Sequence, residues 1–356
     1  MSTSAALELL TGRGLLPPLA AFVALGVAVF AIASRLAGHA DAIAAATGLG
    51  RVFVGTLVLA ASTSLPELAT DVNAAWLGAV DIGVGDLMGS TLANMLILAL
   101  ADLAWRRRRV LDRVSPDHLL VGSLGILLTA LAGAAIASGG GWLRVGHVGA
   151  ETFAIVALYA LGMRIAYVSR LVDGLAPSAT APERPASTAE RADARPADGA
   201  PLRRAVVGFG IAALALLAVA PLLVVAAEAL ALESGAGQTA VGTLLVGFTT
   251  SFPEMAATVA AIRLGAADLA VGNVFGSNAF NMCVLAAMDL AYLPGPVLAA
   301  ASAQHAVSAQ LAVLAMALGL IAVARRGRGA SRAPRVESVL IVATYVVAAA
   351  LLARAA

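Results

Sequence analysis

Long apolar runs, separated by short stretches of charge, glycine and proline, make up most of this chain. Ten such runs can be read, at residues 15–37, 50–77, 81–104, 116–138, 146–168, 205–232, 238–263, 268–291, 296–324 and 336–354. Each is near or above the roughly 20 apolar residues that a helix needs to cross a bilayer core. The pattern predicts an all-α polytopic membrane protein with ten transmembrane helices. The first run lacks a small-residue cleavage site, so it reads as a retained span rather than a removed leader. Residues 172–204 break the pattern. They are rich in Pro, Ala, Asp and Arg, show no apolar period, and read as a flexible tether. The expected organisation is therefore a first five-helix half over 1–171, a linker over 172–204 and a second five-helix half over 205–356.

Composition narrows the class. Of 356 residues, 60% are hydrophobic and 12% charged, about half the charged fraction of a soluble domain. Such a chain cannot cover a water-facing surface, which excludes an ordinary soluble enzyme and a disordered chain. A net charge of +2 is too small for a nucleic-acid footprint. The single cysteine, Cys283, excludes an intrachain disulfide and a cysteine-rich metal site. All 23 basic residues are arginine. With the N-terminus outside, 20 of them fall in inside loops and 3 outside. By the positive-inside rule this predicts an inner (cell) membrane protein with both termini outside and the linker in the cytoplasm.

The chain also contains an internal repeat. Residues 55–103 and 242–290 align without a gap at an offset of 187, with 24 of 49 positions identical. The repeated spans are the second and the seventh, five apart, so the two copies should cross the membrane in opposite directions. Inverted repeats place a substrate site near the midplane, where the copies meet, and permit alternating access.

Each copy carries a polar run inside an apolar span. Ser62-Thr63-Ser64-Leu65-Pro66-Glu67 stands in the first and Thr249-Thr250-Ser251-Phe252-Pro253-Glu254 in the second. A carboxylate at membrane depth costs several kcal/mol, so two at matching places point to function. Proline cannot donate to the carbonyl four residues back, which would free the carbonyls of Ser62 and Thr249. Freed carbonyls, hydroxyls and carboxylates form an oxygen-only set suited to hard cations. Thr63 and Glu67 share a helix face, as do Thr250 and Glu254. In the following helix Asp86, Ser90 and Asn94 recur at four-residue steps, matched by Asn273, Ser277 and Asn281. Taken singly, Ser64, Ser251, Thr91 and Asn278 are also what helix–helix glue would look like. Asp71 lies one turn after Glu67, and Thr258 stands at its place in the second copy. His39, His118 and His147 fall in or near loops without ligand spacing, and His305 stands alone in the ninth span.

At these motifs the sequence resembles the sodium/calcium exchanger family of cation/Ca²⁺ antiporters. The resemblance rests on G-T-S-[LF]-P-E followed by G-N-x-x-G-S-x-x-x-N, occurring twice. It implies a non-enzymatic secondary antiporter that exchanges Ca²⁺ for Na⁺, with no tightly bound cofactor and no obligate protein partner. By resemblance Glu67 and Glu254 coordinate the central ion. Thr63, Ser64, Thr250, Ser251, Ser90, Asn94, Ser277 and Asn281 supply further ligands, with backbone carbonyls near Ala60 and Gly247. The first and sixth helices would form the mobile gate. Three departures stand out. The leading glycine of G-T-S is Ser62 or Thr249, the first Asn is Asp86, and Asn281 holds a place where some members carry Asp. Because protons can neutralise the same carboxylates, Ca²⁺/H⁺ antiport is the nearest alternative. Gly83-Val84-Gly85-Asp86 also reads as the G-x-G-D of an intramembrane aspartyl protease, but no Tyr-Asp pair supplies the second aspartate.

Overall fold

The computed structural model describes residues 10–12, 14–104, 110–112, 114–175, 199–233, 249–325 and 335–355. It is almost entirely helical. A first helix, α1 (Leu16–Thr47), starts with Pro17 and Pro18 in its first turn, where a missing N–H costs nothing, and stops at Gly48 in the left-handed region. Then come α2 (Arg51–Thr63), α3 (Leu65–Trp76), α4 (Val80–Ala104) and α5 (His118–Ala137). A two-residue hairpin follows, β1 (Arg144–Val145) with β2 (Val148–Gly149), leading into α6 (Ala150–Leu175). The second half holds α7 (Gly199–Glu233), α8 (Phe252–Arg263), α9 (Ala267–Ala291), the short α10 (Val297–Ala300), α11 (Gln304–Ala324) and α12 (Val336–Ala355).

Among the described residues, seven helices are long and apolar enough to cross a membrane. The bent pair α2–α3 makes an eighth, and Val336–Leu351 is a shorter apolar stretch. Several boundaries differ from the sequence reading. The expected span over 50–77 is two helices bent by 48°, and the span over 296–324 is interrupted at 301–303. Both ends of the expected linker over 172–204 are helical, because α6 continues to Leu175 and α7 begins at Gly199, and 176–198 lie outside the described residues. The first part of the expected seventh span, 238–248, lies outside the described residues.

The sequence repeat is also a structural one. Adding 187 to the bounds of α3 gives those of α8, and adding it to α4 gives α9. The connection between them turns on Gly78 in one copy and Gly265 in the other, at φ 83° and 76°. Only glycine enters that region at no steric cost. The same offset relates two cross-repeat pairs. His118 Nε2 lies 3.0 Å from Asp268 Oδ1, and His305 Nε2 lies 3.1 Å from Asp81 Oδ1. Each of these aspartates also accepts a backbone N–H, from Ser115 and Ser302 respectively. The histidines that looked bland in sequence therefore tie the start of each long repeat helix to the helix that follows the other copy. Asp102 and Asp289, again 187 apart, are buried at the far ends of α4 and α9. Asp102 accepts from Ser338 Oγ at 2.8 Å, and Asp289 from the backbone N–H groups of Gly149 and Val297 at 3.0 and 2.6 Å.

Helix α9 is the hub. It packs against α2, α3, α4, α5, α6 and α8. Its approach to α2 is possible because small residues face the seam. A Cβ at Gly276 would sit 2.3 Å from the Thr56 carbonyl oxygen, and one at Gly55 would sit 2.6 Å from that of Leu269. Helix α1 runs along α7, and the pair covers α8 and α3 from one side.

Two stability predictions follow from this packing. Gly276→Ala drives a Cβ into the Thr56 backbone, which cannot swing away as a side chain could. It should cost about 1–3 kcal/mol and lower the thermal unfolding midpoint of the purified protein in detergent. Gly38→Ala, with open space at its Cβ, should leave that midpoint in place. Asp289→Ala strands two buried backbone donors and should cost about 1–3 kcal/mol, read in the same assay.

Candidate functional site

The break between α2 and α3 is the first element of the site. Residues 54–59 form a π-helical turn, in which the Ala60 N–H reaches back to the Gly55 carbonyl. Such wide turns are frequent at functional sites. The helix recovers for one turn and stops at Ser64, with φ −88° and ψ 5°. A new helix then starts with Pro66 in its first turn. The second copy repeats this at Ser251, with φ −80° and ψ 5°, and Pro253 in the first turn of α8. The sequence reading put the prolines inside a continuous helix and expected freed carbonyls at Ser62 and Thr249. Instead each proline opens a new helix, where its missing N–H is no loss. Glu67 and Glu254 fall in the first turns of α3 and α8, where the positive end of the helix dipole favours a carboxylate.

Both glutamates are buried, at 1% and 0% exposure. Glu254 Oε1 accepts from Ser64 Oγ of the other copy at 3.0 Å, and Glu67 Oε1 accepts from Ser90 Oγ at 2.8 Å. The second oxygen of each, Oε2, is buried with no hydrogen-bond partner. Around them the hydroxyls form a chain between the copies. Ser277 Oγ lies 3.3 Å from Ser64 Oγ, and Thr250 Oγ1 lies 3.4 Å from Ser90 Oγ. Thr250 donates to Asp86 Oδ1 at 3.0 Å, and its counterpart Thr63 meets Asn273 Oδ1 at 3.3 Å.

The remaining expected residues divide. Asn94 Nδ2 donates to Asn278 Oδ1 at 3.0 Å, and Asn281 Nδ2 donates to Thr91 Oγ1 at 3.3 Å. These two contacts are related by the same offset. They link α4 to α9 and leave Asn94 Oδ1 and Asn281 Oδ1 buried without a partner. Ser251 is buried and its Oγ has no partner. The Ala60 carbonyl is already engaged, accepting from Thr63 Oγ1 and from the Ser64 N–H, both at 3.1 Å. Gly247 lies outside the described residues. The sequence reading left Asn278 and Thr91 undecided between site and glue. It did not single out Thr258, whose Oγ1 accepts from Asn273 Nδ2 at 3.2 Å. The offset of 187 was the signal that could have paired them.

Among the described residues no three Asp, Glu, His or Cys side chains converge as a metal cluster. The oxygens that lack partners are instead of mixed type, carboxylate, amide and hydroxyl. Those on the two repeats lie on α3, α4, α8 and α9 and at the break before α8, with others on α2, α5 and α6, and among the described residues no basic side chain pairs with Glu67 or Glu254. Carboxylates, amide carbonyls and hydroxyls suit a hard cation that accepts six or more oxygens. Sulfur and imidazole, which would favour a transition metal, do not enter the set.

Known proteins fit this architecture. The fold matches solved structures of the sodium-calcium exchanger NCX_Mj. For crystals soaked with 100 mM Na⁺ and 10 mM Sr²⁺ the TM-score is 0.68 at 22% identity, covering 94% of this chain and 97% of that one. For crystals soaked without Na⁺ and Ca²⁺ the TM-score is 0.66 at 21% identity, covering 94% and 98%. In sequence the chain is 29% identical over 295 residues to the candidate antiporter CaxA of Alkalimonas amylolytica, covering 81% of this chain and 86% of that protein. It is 36% identical over 52 residues to the inner membrane protein YrbG of Escherichia coli K12, covering 15% and 16%. The model of the sodium/calcium exchanger protein family matches residues 18–173 and 204–354. Matched over both halves, this chain belongs to the sodium/calcium exchanger family and is a multi-pass membrane antiporter of the cation/Ca²⁺ class.

Proposed function

We propose that the protein exchanges Ca²⁺ for Na⁺ by alternating access, through one cavity built around Glu67 and Glu254. The observation that carries this reading is the pair of free carboxylate oxygens, Glu67 Oε2 and Glu254 Oε2. Both are buried and neither has a donor. An uncompensated carboxylate is expensive in an apolar interior, so a cation is the natural partner for each. Ca²⁺ takes six to eight oxygens and tolerates mixed carboxylate, amide and hydroxyl donors. Thr63, Ser64, Thr250, Ser251, Ser90, Asn94, Ser277, Asn281 and Asp86 are the further side-chain donors. Ca²⁺ and Na⁺ are transported substrates here, and the protein needs no resident cofactor.

Exchange follows from charge. With both glutamates ionised and the cavity empty, an apolar helix cannot slide across the site without burying two bare charges. One Ca²⁺, or several Na⁺, neutralises them and lets the gate pass. The empty carrier stays put, so transport in one direction requires return transport of the other ion. In this reading α1 and α7 are the moving pair, packed against each other and over α3 and α8. The ten-helix arrangement as two inverted five-helix halves, with the termini outside and the linker cytoplasmic, is part of the same proposal. It is supported by the arginine distribution and by helix bounds that recur at the offset of 187.

Radioactive Ca²⁺ uptake into proteoliposomes tests the reading. Vesicles loaded with Na⁺ should accumulate Ca²⁺, and vesicles loaded with choline should not. Glu254→Gln removes a charge but keeps the shape, and uptake should fall at least about 100-fold, the scale of losing a charged ligand worth roughly 3 kcal/mol. Uptake driven by a pH gradient alone, with no response to Na⁺, would replace the reading with Ca²⁺/H⁺ antiport.

A further inference from the structure

The two copies solve one local problem in different ways. In the second, Asn273 on α9 faces Thr258 on α8. Its Nδ2 donates to Thr258 Oγ1 at 3.2 Å and to the Glu254 carbonyl at 3.3 Å. The contact is neutral and closed. In the first copy the same two places, 187 residues earlier, hold Asp86 on α4 and Asp71 on α3. Asp71 packs onto α4 there: a Cβ added at Gly83, three residues before Asp86, would lie 3.5 Å from Asp71 Cβ. Two carboxylates have no N–H to offer. Asp71 is 1% exposed, and its Oδ2 has no partner. Asp86 Oδ2 is likewise enclosed and unpartnered, while its Oδ1 accepts from Thr250 Oγ1. Among the described residues no arginine or histidine pairs with either.

We propose that Asp71 and Asp86 form an accessory Na⁺ subsite beside the shared cavity, in the place where the second copy closes itself with an amide. The donors are Asp71 Oδ2, Asp86 Oδ2 and Thr250 Oγ1, all hard oxygens suited to Na⁺. Buried like charges side by side are sustained by a shared proton or by a compensating cation, and among the described residues no side chain supplies the cation. The inference rests on the exchanger reading for its physiological meaning but not for its chemistry. The consequence is an asymmetric cavity. The first copy carries two acidic side chains where the second carries none, so Na⁺ is held preferentially on the first copy's side of Glu67 and Glu254.

The test uses the chain's own alternative. The double substitution Asp71→Thr with Asp86→Asn copies the Thr258–Asn273 pair, an arrangement this fold already accommodates. Equilibrium binding of radioactive Na⁺ to the full-length protein in detergent should show the swap binding about one Na⁺ fewer per molecule. Stabilisation of the fold by NaCl over choline chloride should shrink accordingly. Should the double variant fail to fold, Asp71→Asn and Asp86→Asn singly should each lose the same Na⁺. An unchanged Na⁺ count overturns the proposal and leaves a proton between the two carboxyls. The two readings fail separately. A wild-type protein that binds this Na⁺ yet moves no Ca²⁺ sinks calcium exchange alone, whereas intact Na⁺-driven Ca²⁺ uptake with an unchanged Na⁺ count sinks the subsite alone.

Discussion

Two carboxylates are buried in the apolar interior of a membrane protein, and among the described residues no basic side chain is paired to them. Much of the structure around Glu67 and Glu254 can be understood as the management of that cost. Each sits in the first turn of a helix, where the positive end of the helix dipole favours a carboxylate. Each has one oxygen held by a serine hydroxyl, Ser90 for Glu67 and Ser64 for Glu254. Each keeps the other oxygen free. A protein that needed only stability would replace such a pair with well-packed apolar groups. The free oxygens make sense as one half of an interaction whose other half comes and goes.

Duplication then decides how the rest is built. The break at Ser64 and the break at Ser251 have nearly the same backbone angles, and the hydrogen bonds run between copies as much as within them. Ser64 serves Glu254, Thr250 serves Asp86, and Asn94 and Asn281 each bridge α4 to α9. A site shared in this way cannot be assembled by either half alone. The same crossing appears at its periphery, where His118 meets Asp268 and His305 meets Asp81. These pairs hold the starts of α4 and α9 while the glycine seam at Gly55 and Gly276 sets how closely α2 approaches α9. Together they fix how α2, α4 and α9 sit against one another.

Much of this was legible in the chain. The offset of 187 foretold which helices would match, and the pairing of an intramembrane glutamate with hydroxyls one turn away foretold which side chains would meet in the interior. What escaped the sequence has identifiable physical causes. A proline two residues after a serine is compatible with a kinked helix or with a fresh start. Only the backbone at Ser64 shows the latter, and it depends on how α2 packs against α9. The His–Asp pairs join residues 150 and 224 apart, beyond the reach of any local spacing. Asp102 and Asp289 are not singled out in the sequence, and only their burial and partners show that they anchor the connections beyond. Asp71 has no acidic counterpart in the repeat, so the offset gave no sign of its burial, yet it is 1% exposed.

The most direct measurement is an anomalous-scattering map of crystals soaked with Ca²⁺, or with Sr²⁺ for its stronger signal. An ion-binding role for the two free oxygens predicts a peak within about 2.3–2.6 Å of both Glu67 Oε2 and Glu254 Oε2, the span of Ca²⁺–oxygen bonds, and its loss in Glu254→Gln. A well-ordered structure with no peak between the two glutamates at saturating ion, or with the ion bound only elsewhere, would contradict it.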